Sequence, residues 1–271
     1  MNHFLNNKIF YIISYLFRKL PKKIQSLLSE KFLREECKNN SVNRNPFAIF
    51  AFDHIGFDVN LHGYYEKREL EGIRNFISSE GLNGVVLDIG ANVGNHTIHF
   101  ASYFDKVYSF EPNSLTYQLL SFNVQFYHNI QVFNFGLSDK NEEVIAYSPN
   151  WNRGSTSLHF RDTEEYNLTL RRFDQISEIN YEKIDFIKID VEGHELSVLK
   201  GMENMLKRDF PIIAFEYLNN ELIDDQFMII DYLNYIGYNT YLDSSNNFSP
   251  ISNWANPYSL VIAQRKYQGV S

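Results

Sequence analysis

Short apolar runs alternate with helical patterns through most of this sequence, and that alternation limits the folds it can adopt. Residues 85–89 form a run that is apolar except for Asp88, as in a strand covered on both faces. Further apolar runs stand at residues 106–110, 130–135, 184–190 and 212–215. Most of them are separated by apolar residues at three- and four-residue spacing, which is typical of helices. The pattern predicts an α/β fold with a doubly wound, mainly parallel sheet.

Three other segments complete the predicted organisation. Residues 39–62 have the composition of a connecting loop between the first part of the chain and the main domain. A helical pattern follows from Tyr65 to Gly81. Residues 142–172 contain short alternating pieces, which predict a hairpin insertion. A helix near 227–236 and strands near 239–242 and 259–263 are expected to finish the chain.

The composition excludes several classes of protein. Lys and Arg total 25 against 33 Asp and Glu, so the net charge of −8 argues against general nucleic-acid binding. Cys37 is the single cysteine of the chain, which excludes a disulfide scaffold and any zinc site built from cysteines. One cysteine also fits a reducing compartment, and we expect a cytoplasmic protein.

The first part of the chain differs in charge from the rest. Residues 1–38 hold eight basic and three acidic side chains, a net charge of +5. Apolar residues between Phe4 and Leu20 recur at helical spacing, but the apolar stretch Ile9–Phe17 is too short to span a bilayer. Two interpretations stay open: a helix lying on the inner face of an anionic membrane, or one that packs on the domain or on a second subunit. We therefore divide the chain into a basic, amphipathic helical extension, 1–45, and a main domain, 46–271.

The segment after the first predicted strand contains a glycine turn. Gly90 and Gly94 permit a sharp turn and a close approach of ligand or helix, but Asn92 stands where a dinucleotide-binding loop has its middle glycine. Asp88 adds a negative charge that would repel a phosphate. These residues favour a nucleoside cofactor that has no phosphates or carries a positive centre, and S-adenosylmethionine has both properties.

Acidic residues follow the next two strands. Glu111 is placed to accept hydrogen bonds from both hydroxyls of a ribose. Asp139 follows the third strand, where it could receive an adenine amino group or cap the next turn. The turn after the 184–190 run holds Asp190, Glu192 and His194, of which either acid could orient an acceptor hydroxyl while the histidine takes its proton.

A metal site is not favoured by the sequence. Asp190, Glu192 and Glu216 at neighbouring strand ends could hold Mg²⁺, but no complete set of protein ligands is evident. His96 and His99 are three residues apart, and no third zinc ligand lies within sequence reach.

These motifs, in this order, resemble the FkbM family of S-adenosylmethionine-dependent methyltransferases. The matching segments are 87–97, 110–112, 136–139, 188–195 and 199–201, with further likeness at 65–66 and 152–158. The likeness covers roughly residues 60–265. It implies a Rossmann-like, seven-stranded methyltransferase sheet whose last strand pair is antiparallel. It also implies methyl transfer, usually to a hydroxyl oxygen of a sugar, glycan or natural product.

The resemblance also assigns roles to single residues. Asp88, Gly90, Asn92 and Gly94 would form the cofactor loop, Glu111 would hold the ribose, and Asp139 would lie near the adenine. Asp190 and Glu192 would face the methyl group and the acceptor, which could be a sugar or a lipid-linked glycan. The family pattern leaves open which residue is the base.

Two other functions stay open on the sequence alone. A dinucleotide-dependent oxidoreductase would need a loop that tolerates phosphate. A non-catalytic glycan-binding module could keep the fold without the chemistry, although acidic residues at all four strand ends argue against it.

Overall fold

The structure is a computed structural model that describes residues 16–41, 44–51, 53–148, 164–179, 182–217, 223–244, 248–251, 254 and 258–265. Its helices are α1 (Lys22–Ser41), α2 (His54–His62), α3 (Lys67–Glu80), α4 (Asn95–Phe100), α5 (Ser114–Val124), α6 (Glu195–Gly201), α7 (Glu203–Asp209) and α8 (Ile223–Ile236), with a 3-10 turn at Phe173–Gln175. Its strands are β1 (Val85–Ile89), β2 (Lys106–Phe110), β3 (Ile130–Phe133), β4 (Gly136–Leu137), β5 (Glu142–Ser148), β6 (Glu164–Arg171), β7 (Phe186–Ile189), β8 (Ile212–Tyr217), β9 (Thr240–Asp243), β10 (Ser249–Pro250) and β11 (Tyr258–Gln264).

The predicted parallel sheet is confirmed. Eight described strands are ordered β10-β9-β11-β8-β7-β1-β2-β3. The five strands from β8 to β3 pair in parallel, and β11 runs antiparallel to both β8 and β9. The short β10 pairs with the edge of β9 and adds an eighth strand to the seven that were expected.

Both faces of this sheet are covered, as the apolar runs predict. The consecutive β1 residues Val86 and Leu87 are fully buried and belong to opposite layers of the core. Helix α3 supplies Ile73 and Ile77 to the layer of Val86. Helices α6, α7 and α8 pack on the other layer, with Val198, Leu199, Leu206, Leu233 and Ile236. This double covering defines the doubly wound fold and leaves the carboxyl ends of the strands accessible at one edge of the sheet.

The predicted hairpin insertion is also present. Strands β5 and β6 are antiparallel, and β4 pairs in parallel with β6, so the three strands form a separate small sheet. Leu168 and Leu170 of β6 are buried. The family-like segment 152–158 lies outside the described residues.

The interpretation of residues 39–62 as a connection was wrong in part, because they contain helix α2. Asp53 caps this helix by accepting the backbone N–H groups of Ile55 and Gly56, and Gly63 ends it in a left-handed conformation. Helix α1 packs along α2, where the Asn40 side chain donates to the carbonyl of Asn60 at 3.0 Å. The apolar stripe predicted from Phe4 to Leu20 falls largely outside the described residues. Among the helices that are described, none is long and apolar enough to cross a membrane.

Candidate active site

The loop after β1 has a shape that its two glycines make possible. Gly90 has a φ of +80°, and a Cβ there would stand 1.8 Å from the carbonyl oxygen of Asp190. Gly94 has a φ of +94°, and a Cβ there would meet the Leu120 side chain at 2.7 Å. Asn92 adopts a left-handed conformation between them, with a φ of 51°. At Gly90 the loop therefore lies directly against the turn after β7, and a larger residue there would separate the two. A larger residue at Gly94 would instead collide with α5.

Glu111 fixes the same loop from the end of β2. One carboxylate oxygen accepts the backbone N–H of Asn92 at 3.0 Å, and the other accepts that of Asn113 at 2.8 Å. Glu111 is only 7% exposed, and it lines the cavity at this edge of the sheet. Burial raises the pKa of Glu111 to about 7, although the two N–H groups act in the opposite direction.

A buried charge network lies beneath the loop. The Lys188 ammonium is 2.9 Å from Asp190 and 3.9 Å from Asp88. Asp88 is fully buried and accepts the Thr97 hydroxyl at 2.5 Å. Burial by itself would lower the pKa of Lys188. The negative charges of Asp190 and Asp88 have the larger effect, and they hold the pKa of Lys188 above its usual value. Lys188 therefore stays charged and links the β1 strand end to the β7 strand end.

Negative charge accumulates around the cavity. Burial, followed by the charges of Asp190 and Glu192, raises the pKa of Glu216 to about 8. Burial also favours the neutral form of Asp190, but the ion pair with Lys188 outweighs this effect and lowers the pKa of Asp190. The carboxylates at this edge thus repel one another, and a positively charged ligand would relieve that repulsion.

His194 forms a hydrogen bond with Ser138, the residue that follows β4 of the small sheet. Its Nε2 lies 2.9 Å from the hydroxyl oxygen of Ser138, and the same hydroxyl donates to a carboxylate oxygen of Asp139 at 3.2 Å. A hydroxyl has one hydrogen, so when Ser138 donates to Asp139 its oxygen accepts the Nε2–H of His194. In that arrangement Nδ1 is the nitrogen that carries the lone pair.

The cavity brings together most of the predicted site residues. Its lining includes Gly90, Asn92, Glu111, Asp190, Glu192 and His194. Asp88, Gly94 and Asp139 do not line it: Asp88 is buried beneath the loop, Gly94 packs on α5, and the Asp139 carboxylate accepts from Ser138. We expect these three to act by shaping the site.

Other lining residues were not predicted as part of the site. They include His54, Ile55, Tyr65, Glu66, Leu168, Leu170 and Glu216, of which only Glu216 was considered, as a metal ligand. Leu168 and Leu170 come from the hairpin, and Tyr65 and Glu66 precede α3. The likeness of Tyr65 and Glu66 to a family segment was the one signal that could have placed them at the site.

Residues 88–241 match the family model of the methyltransferase FkbM domain, which is more than half of the 271-residue chain. The chain therefore belongs to the FkbM methyltransferase family. The matched region includes the loop after β1, Glu111 and the turn after β7.

Individual proteins are similar to parts of this chain at low sequence identity. The hexuronic acid methyltransferase AglP of Haloferax volcanii is 32% identical over 165 residues, which cover 59% of this chain and 65% of AglP. The AMB antimetabolite synthetase AmbE of Pseudomonas aeruginosa is 29% identical over 164 residues, covering 45% of this chain and 8% of AmbE. The crystal structure of methyltransferase FkbM from Methylobacillus flagellatus has a TM-score of 0.44 at 19% identity, over 67% of this chain and 43% of that one.

Proposed function

We propose that this protein is an S-adenosylmethionine-dependent O-methyltransferase that acts on a hydroxyl group of a sugar or a surface glycan. The observation that carries the proposal is the set of carboxylates around one cavity at the strand ends, Glu66, Glu111, Asp190, Glu192 and Glu216. The similarity to AglP, a hexuronic acid methyltransferase, supports a sugar as the acceptor.

The donor set of the cavity fits this cofactor. Glu111 presents a buried carboxylate that can accept ribose hydroxyls, and Gly90 and Asn92 let a ligand approach the backbone. The surrounding acids complement a sulfonium and an ammonium group, whereas they would repel a pyrophosphate. When bound, S-adenosylmethionine supplies a methyl group activated for displacement by an oxygen nucleophile.

The chain's own residues would align and deprotonate the acceptor. We assign Asp190 and Glu192 to orienting the acceptor hydroxyl, because both line the cavity and Asp190 is held by Lys188. The lowered pKa of Asp190 makes it a weak base, so we assign proton removal to His194, with Ser138 as its positioning residue. Most of the rate enhancement is then expected from alignment.

The test is incubation of the purified protein with S-adenosylmethionine and a panel of uronic acids, neutral sugars and glycans, followed by mass spectrometry. A product heavier by one CH₂ and sensitive to Asp190→Asn supports the proposal. Calorimetric titration with S-adenosylmethionine and with NAD covers the alternatives. Binding of NAD alone would favour an oxidoreductase, and binding of neither would favour a glycan-binding module.

Cofactor binding is expected to strengthen as the pH rises from about 6 to 8. Glu111 and Glu216, with pKa values of about 7 and about 8, hold protons in the free protein at the acidic end of this range. Ionisation of Glu111 strengthens the hydrogen bonds that it accepts from ribose hydroxyls, and ionisation of Glu216 favours a cationic ligand. Calorimetry across this range should therefore show tighter binding at higher pH and release of protons on binding.

Glu111→Gln should weaken binding at pH 8 by roughly ten- to a hundred-fold, since a charge-assisted hydrogen bond contributes about 1.5–3 kcal/mol. Glu195→Gln is the matched control. Glu195 is also a buried carboxylate that accepts backbone N–H groups, those of Val191 and Gly193, but it does not line the cavity. If both variants bind the cofactor like the unmodified protein, Glu111 is not a ribose ligand.

The N-terminal extension is proposed to attach the protein peripherally to an anionic membrane surface, where a lipid-linked glycan could be reached. Helix α1 has no buried residues, and Leu27, Leu28 and Phe32 are exposed on it. Each basic residue near such a surface contributes about 1 kcal/mol, and the apolar residues add to this.

Deletion of residues 1–38, or the double change Leu28→Ser and Phe32→Ser, should release the protein from anionic vesicles in co-sedimentation while cofactor binding is retained. Phe57→Ser, at an exposed residue of α2, is the control. If the full chain does not sediment with these vesicles at low salt, the membrane proposal is wrong. Light scattering of the same deletion then tests a role in forming a homo-oligomer.

A further inference from the structure

Three side chains with metal-binding atoms meet beside the cavity, on elements that are separate in sequence. Glu66 precedes α3, Glu69 lies in its first turn, and His96 lies at the start of α4. The Nε2 atom of His96 is 3.8 Å from a carboxylate oxygen of Glu66 and 3.8 Å from one of Glu69. All three ligand atoms lie within 4.8 Å of one another.

The imidazole of this cluster has an unsatisfied nitrogen. His96 is only 5% exposed, and its Nε2 has no hydrogen-bond partner among the residues that the structure describes. A separation of 3.8 Å from each carboxylate is too long for a hydrogen bond. A buried polar atom without a partner is rare and calls for an explanation such as an ion. Here the atom lies 3.8 Å from each of two carboxylates, which can share a cation with it.

The backbone around the cluster is held in place. The Asn95 side chain donates to the carbonyl of Tyr65 at 2.9 Å and accepts the Tyr65 N–H at 3.3 Å. These two bonds join the residue before Glu66 to the residue before His96. Glu66 itself adopts a left-handed conformation with a φ of 52°, which is costly for a residue other than glycine. The backbone that carries Glu66 and His96 is therefore held at the cluster.

We propose that Glu66, Glu69 and His96 form a binding site for a divalent transition-metal ion of the Zn²⁺ or Mn²⁺ type. One imidazole nitrogen with two carboxylate oxygens is a ligand set that such ions accept, whereas Mg²⁺ and Ca²⁺ prefer oxygen alone. Two ligands of one zinc ion lie at most about 4.4 Å apart, since each bond is about 2.0–2.2 Å. The two 3.8 Å separations from His96 meet this limit, and the three atoms lie within 4.8 Å of one another. The partly buried glutamates need only a small rotation to bring their oxygens within bonding distance of one ion.

The site goes beyond the proposed methyl transfer and differs from the acidic group of Asp190, Glu192 and Glu216. Glu66 lines the cavity, and Glu66 and Glu69 both line a second pocket, which α3 also borders with Gly72 and Asn75. An ion held there would have coordination positions directed towards solvent or towards a ligand of the cavity. It would also join α3 to the helix that begins just after the cofactor loop.

The test uses the full chain after treatment with a chelator and dialysis. Titration calorimetry with Zn²⁺, Mn²⁺ and Mg²⁺, together with thermal unfolding, should show one equivalent of Zn²⁺ or Mn²⁺ bound, a higher Tm, and weaker binding of Mg²⁺. Bound Co²⁺ should give visible absorption that changes when His96 is replaced by glutamine. None of these measurements depends on methyl transfer, so the metal site can be confirmed or refuted independently of the proposed activity.

Glu69→Gln and His96→Gln should each weaken metal binding by at least roughly 10- to 100-fold and remove the increase in Tm. Glu71→Gln, at an exposed acid on the same helix, should leave both unchanged. If Glu69→Gln, which is the less buried change, folds and binds the metal like the unmodified protein, the site does not exist. Absence of Zn²⁺ and Mn²⁺ binding to the unmodified protein at millimolar concentration would overturn it equally.

Discussion

The Lys188→Met variant is expected to lose about 3–5 kcal/mol of unfolding free energy, because it leaves a buried carboxylate without its cation. Asp88 is fully buried, and Lys188 is 3% exposed at 3.9 Å from it. Methionine fills a similar volume, so the loss reports mainly the missing charge. Denaturant unfolding followed by circular dichroism measures it.

The matched control is Lys183→Met. Lys183 forms an ion pair with Asp185 at 3.0 Å, but its side chain is 74% exposed, and such surface pairs contribute about 0–1 kcal/mol. The double variant Lys188→Met with Asp88→Asn should recover part of the loss, since it removes the uncompensated charge. A loss for Lys188→Met no larger than for Lys183→Met would show that the buried network does not stabilise the fold.

The sequence predicted those helices and strands whose own residues carry a clear hydrophobic pattern. The runs at β1, β2, β7 and β8 are apolar on both faces, and each became a buried strand of the parallel sheet. Helix α3 was equally evident, because Leu70, Ile73 and Ile77 share one stripe and Gly81 ends it. The hairpin was predicted from the alternation in β5 and β6.

Helix α2 was missed because its apolar residues have the wrong period. Ile55, Phe57, Val59 and Leu61 alternate with other residues, which is the period of a strand. Only Ile55 among them is buried, so no apolar stripe had to form. The signals that were present are the Asp53 cap and Gly63 at the end of the helix.

The site was predicted as far as strand ends could locate it. Position after a strand predicts that Glu111, Asp190 and His194 share one edge of the sheet, and in the structure all three line the cavity there. It could not tell an inward from an outward side chain, so the burial of Asp88 beneath the loop was not evident. Nor could it bring Glu66 next to His96, because that contact depends on how α3 packs against α4.

The His194→Gln variant is expected to lower kcat by about 10²–10⁴-fold while cofactor affinity changes little, because a positioned base contributes about that much to proton transfer. Glutamine can still donate to Ser138 at the position of Nε2, so the 2.9 Å contact need not be lost. Stopped assays with an acceptor found in the panel of sugars and glycans give kcat, and calorimetry gives the affinity for S-adenosylmethionine. His128→Gln, at an exposed histidine just before β3, is the control.

Asp190→Asn and Ser138→Ala separate the base from the residues that orient it. Asp190→Asn is also expected to lower kcat strongly with the cofactor still bound, but to raise KM for the acceptor, because Asp190 is assigned to the hydroxyl rather than to its proton. Ser138→Ala removes the contact that positions the imidazole, so kcat should fall less than in His194→Gln and the pH dependence of kcat should change. If His194→Gln keeps full kcat while Asp190→Asn loses it, the base is one of the carboxylates. Glu216, whose pKa is about 8, is then the next residue to replace, because a base acts best when its pKa is near the working pH.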